Sequence, residues 1–184
     1  MPILRRLLKV SGVAASASAW LIISECIRRN PWFDAFQHAF SDLGTARATD
    51  PWLYNYGLMF VALLLLLFSV HMVIEATRRL EVVGGAYMSI AAVFLALIGA
   101  FPGGTKPHAF VSSWFFIQAF LAILTYGLGK WQVDRASSLA SLTTFSLALL
   151  GALVDWPSVA TAEAYEIVLL NLATILYALR DPPR

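Results

Sequence analysis

The stretch WLYNYGLMFVALLLLLFSVHMVIE, residues 52–75, decides how this chain folds. It carries no acidic or basic residue before His71 and Glu75, and it is long enough for a helix to cross the roughly 30 Å of hydrocarbon in a bilayer. A helix on the surface of a soluble domain is apolar on one stripe, whereas this one is apolar on nearly every side. Similar segments run over 10–27, 82–101, 109–129, 137–154 and 161–179, and they leave no stretch from which a separate soluble domain could be built. The expectation is one all-α domain over residues 1–184: a polytopic membrane bundle of six transmembrane helices.

Composition agrees. The 184 residues are 59% hydrophobic and 13% charged, against roughly 25% charged in an ordinary soluble domain. Lipid must therefore cover most of the surface. A formal net charge of +2, with its basic residues dispersed in short flanks, excludes a nucleic-acid footprint. Cys26 is the sole cysteine, so neither an internal disulfide nor a cysteine zinc cage can form.

Helix punctuation supports the cuts. Asp50-Pro51 sets a carboxylate before a first-turn proline, Lys106-Pro107 opens the fourth span, and Ser137 and Ser138 open the fifth. The N-terminus has two readings. Arg5, Arg6 and Lys9 before an apolar run with Ala15-Ser16-Ala17 fit a signal peptide. The run continues through Trp20, Leu21, Ile22 and Ile23, which favours a retained first helix.

Basic residues set the orientation. Arg5, Arg6, Lys9, Arg78, Arg79, Lys130, Arg135, Arg180 and Arg184 fall on one side of a six-span arrangement, against Arg28, Arg29, Arg47 and Lys106 on the other. Both termini are expected on the cytoplasmic side of the cell membrane, with loops 30–51, 102–108 and 155–160 on the outer face.

Those three loops hold the unusual chemistry. Residues 32–41 read as a short interfacial helix, with Trp32, Phe33, Phe36 and Phe40 on one face and Asp34, Gln37, His38 and Ser41 on the other. Its polar face either meets water or turns inward, where a carboxylate could orient the His38 imidazole. Ser41-Asp42-Leu43-Gly44 follows, a site or a plain Asx-turn. In the next loop Gly103 and Gly104 allow backbone N–H groups to converge beside Lys106, which suits an anion such as a lipid phosphate and equally suits a tight turn. His108 opens the fourth helix, and Asp155 sits beside Trp156 and Pro157. Within the spans, Glu25, Asn55, His71, Glu75, Gln118 and Asn171 are costly in lipid and are expected to face the bundle or pair. Asn55, one turn below the outer face, is the strongest of these as a site residue.

The order His38-x-x-Ser41-Asp42-Leu43-Gly44, then Asn55 and Gly57, then Gly99-Ala100-Phe101-Pro102 with His108 opening the next helix, resembles a prokaryotic multi-pass membrane family catalogued as domain of unknown function 998. A fainter likeness, in Ser41-Asp42-x-Gly44 and His108, is to eukaryotic membrane proteins of GPI-anchor lipid remodelling and autophagy modulation, and it implies lipid association. The chain lacks the Ser-x-x-x-His and His-x-x-x-His pairings of the transmembrane hydrolases related to alkaline ceramidases.

Three functions compete. The first is a lipid-interacting protein with a polar outer pocket, a headgroup held near Gly103, Gly104, Lys106 and Asn55. The second is an intramembrane hydrolase whose catalytic candidates are His108, His38, Asp42, Ser41 and Asp155. The third is a small transporter, or a structural partner for another membrane protein or a second copy of itself. No cofactor is expected, although His38, His108 and Asp42 are of types that ligate metals.

Overall fold

A computed structural model describes residues 2–179. Six helices follow one another: α1 (Pro2–Arg29), α2 (Pro51–Ile74), α3 (Arg79–Ala100), α4 (His108–Lys130), α5 (Arg135–Gly151) and α6 (Val159–Leu179). Helices adjacent in sequence pack on one another, and α6 returns to α1, so the helices form a closed ring. Contacts fix an up-and-down order. Gly12 of α1 meets Phe68 near the end of α2 and Thr174 near the end of α6. At the opposite end, the Ala160 N–H of α6 donates to the His38 carbonyl just beyond α1 (2.9 Å).

Helices α1, α2, α3, α4 and α6 are long and apolar enough to cross a membrane. Their outer surfaces are apolar too: Leu21 of α1 is 71% exposed and Leu63 of α2 54% exposed, a pattern suited to lipid and costly in water. The expected fifth span corresponds to α5, which has 17 residues and spans roughly 25 Å at helical rise. Ser137, Ser138, Ser141, Thr143, Thr144 and Ser146 dilute its apolar character. Leu153 and Val154, expected inside the fifth span, lie beyond the end of α5. Basic residues Arg180 and Arg184, used above for orientation, lie outside the described residues.

Small residues let the helices approach closely. A Cβ at Gly99 would collide with the Asn55 carbonyl of α2, so α2 and α3 touch backbone to backbone there. The expected Ala92/Ala96/Ala100 stripe is only partly the packing face: Ala92 is buried and Ala100 exposed, while Ala91, Leu95, Ile98 and Gly99 turn inward.

The helix expected over 32–41 does not form. Turns occupy the segment instead, ending in a 3-10 turn, Phe40–Gly44. Asp34 explains the difference: its carboxylate accepts the Phe36 N–H (2.8 Å) and the Gln37 side-chain amide (2.7 Å), a local arrangement that competes with a helical turn. Pro31 and the wholly buried Asn30 bend the chain before that point. Asn30 donates to the Cys26 and Thr49 carbonyls and accepts from Thr49 N–H (2.7 Å) and Trp32 Nε1 (3.1 Å), tying both ends of the 30–50 segment together.

Candidate functional site

The 30–50 segment caps one end of the ring, and Phe40 points down into the bundle while Phe36 stays exposed. Phe40 is buried, stacks on Phe33 (centroids 5.9 Å apart) and meets Trp20 of α1 edge-on at 6.3 Å. Three contacts with the start of α6 hold the cap down. Besides the bond from Ala160, Ser158 Oγ donates to the Ala35 carbonyl, and the Phe40 N–H donates to Glu163 Oε2 (2.8 Å).

Each expected site residue has a definite place. The Asp42 carboxylate accepts the Ala39 N–H (2.9 Å) and so closes the 3-10 turn. Ser41 is buried in that turn, and its carbonyl faces Gly103, which brings the 101–107 loop against the cap. Asn55 donates to the Gly44 carbonyl (2.9 Å), while its buried Oδ1 has no hydrogen-bond partner among the described residues. His38 lies between Trp32 and Phe33, its Nδ1 within 3.0 Å of the Asp34 backbone N–H rather than beside a carboxylate. His108 Nδ1 sits 2.8 Å from the Phe101 carbonyl and closes the 101–108 turn. Gly104 has φ +84°, the left-handed conformation that glycine takes without strain. Lys106 and Asp155 are exposed and form no ion pair among the described residues.

Ser41, Asp42, Gly44, Asn55 and Gly103 are thus brought into one packed cap. His38, His108 and Asp155 are each engaged or exposed separately, and no hydrogen bond joins an imidazole to a carboxylate among the described residues. No cluster of three His, Cys, Asp or Glu occurs among them either. Within the spans, Glu25 pairs with Arg28 and Arg29 (2.7 Å each) as spacing suggested, whereas Glu75 pairs with Arg5 of α1 at 3.1 Å. Gln118 is buried, and its Oε1 lacks a partner among the described residues.

Below the cap lies a cavity of about 90 Å³, walled by α1, α2, α3, α4 and α6 and roofed by Phe40. Its walls are overwhelmingly apolar, with aromatic rings from Phe40, Tyr54, Phe115 and Phe116. Glu163 is its one charged lining residue. Glu163 falls just inside the sixth span expected from the sequence, and neither it nor Glu166 was among the expected site residues. The signal was available: two acids three apart near the start of an apolar span, where ionisable groups are rare.

At the other end of the ring a second carboxylate is fully provided for. Glu81 of α3, 1% exposed, pairs with Lys130 of α4 at 2.9 Å and accepts the Thr77 N–H and hydroxyl at 3.1 and 3.0 Å. Gly129 allows that approach, since a Cβ there would press on Glu81.

The family model described as "Protein of unknown function (DUF998)" matches residues 13–180, and the chain belongs to that family. No curated protein and no solved structure matches it.

Proposed function

We propose that this DUF998 member is a six-span protein of the cell membrane, termini cytoplasmic, that binds a lipid-like amphiphile in the cavity beneath its cap. The observation that carries the reading is the cavity itself: apolar walls with one carboxylate at the capped end, the distribution of an amphiphile-binding site. Arg5, Arg6, Lys9, Arg78, Arg79 and Arg135 lie at the end opposite the cap, which favours the cap as the outer face. Helix α5, though short, continues the alternation between α4 and α6 and so supports the sixth crossing. The polar end of the occupant is moved by this reading from the Gly103–Lys106 turn to Glu163.

The test is retention of lipid through purification in a mild neutral detergent, read by native mass spectrometry. Wild type should carry a bound amphiphile, and Leu170→Trp, which fills the cavity from α6, should lose it while remaining monodisperse. Equal retention by both proteins, or none by wild type, overturns the proposal.

A further inference from the structure

We infer that the polar end of the occupant is an organic cation, held by Glu163 among the rings of Phe40, Tyr54, Phe115 and Phe116; this rests on the amphiphile-binding reading above and deepens it. The first support is an imbalance of charge. Glu163 Oε2 accepts the Phe40 N–H, no Lys, Arg or His pairs with the carboxylate among the described residues, and the charged side chains that bear on it, Glu166 and Asp42, are acidic. A carboxyl group set in an apolar wall holds either a proton or a positive partner, and here the protein supplies no positive partner.

The second support is the company it keeps. Four aromatic rings line the same small space, and aromatic faces attract cations most when water is excluded. Packing holds part of that wall in place: Phe40 is fixed by Phe33 and Trp20, and the Phe115 and Phe116 centroids are 4.8 Å apart.

The third support weighs against a hard divalent cation. Calcium or magnesium takes six or more oxygen ligands. The lining offers Glu163 and the hydroxyls of Tyr54, Ser112 and Thr174, and Thr174 lies about 16 Å along α6 from Glu163, so too few oxygens converge on the carboxylate. An ammonium or phosphonium centre with an apolar body asks for less: one carboxylate, ring faces and apolar wall.

The experiment is equilibrium binding of three probes to the full-length protein in neutral detergent: dodecylammonium, its neutral counterpart dodecanol, and tetraphenylphosphonium. Wild type should bind at least one of the two cations tenfold or more tighter than dodecanol. Preference for dodecylammonium points to a membrane amine and preference for tetraphenylphosphonium to a free lipophilic cation. Glu163→Gln should erase the preference while still binding dodecanol, and Glu166→Gln should keep it. Equal binding of cations and dodecanol by wild type, or a preference that survives Glu163→Gln, overturns the inference and leaves the amphiphile cavity standing. Failure of all three probes overturns both.

Discussion

Glu81 and Glu163 are the same residue type in the same helical bundle, yet their surroundings differ in kind. Glu81 has a lysine at 2.9 Å, two further hydrogen bonds from Thr77 and almost no exposure. Glu163 has one backbone N–H, two acidic neighbours and an aromatic cavity. A buried charge that the protein neutralises itself serves the fold, because removing either partner strands the other. A carboxyl group that the protein leaves without a counterion takes a proton or a partner from elsewhere. The list of neighbours separates the two cases.

Breaking the self-sufficient pair should have the largest effect. Lys130→Met leaves Glu81 buried without its cation and should destabilise the bundle by about 3–5 kcal/mol, read as a lowered midpoint in detergent-mediated unfolding. Adding Glu81→Gln should restore much of the loss, and an unaltered midpoint in the single variant would mean that the pair does not form. A smaller cost is expected at the cap. Asn30→Ala removes a side chain that ties Cys26, Trp32 and Thr49 together and should cost about 1–3 kcal/mol, with faster hydrogen exchange confined to residues 30–50. Uniformly faster exchange would show that the cap is not a separate unit. The smallest effect belongs to Glu163→Gln. Its amide oxygen can still accept the Phe40 N–H, so the unfolding midpoint should move by less than about 1 kcal/mol although ligand selectivity is lost. A loss as large as that of Lys130→Met would place Glu163 with Glu81 as a structural group.

How far the sequence could be read follows from which solvent each part meets. Spans α1 to α4 and α6 were legible because lipid demands long apolar runs, and Pro51 and Pro107 mark helix starts to within a residue. Residues 32–41 misled because a helical repeat of aromatics also describes a compact turn, and the competing bonds of Asp34 do not show in periodicity. The turn at Ser41, Asp42 and Gly44 was legible because its chemistry is local, whereas the bond from Asn55 of α2 to the Gly44 carbonyl was not. The Glu81–Lys130 pair and the approach of Phe40 to Glu163 join residues distant in sequence, and no spacing rule relates them.

The measurement that bears most directly on the account is a high-resolution structure determined in lipid, examined at the Glu163 carboxylate. Continuous non-protein density should lie against that carboxylate and the rings of Phe40, Tyr54, Phe115 and Phe116, extending as an apolar body into the cavity. A cavity closed by its own side chains, or a lysine or arginine of the protein seated on Glu163, would contradict it.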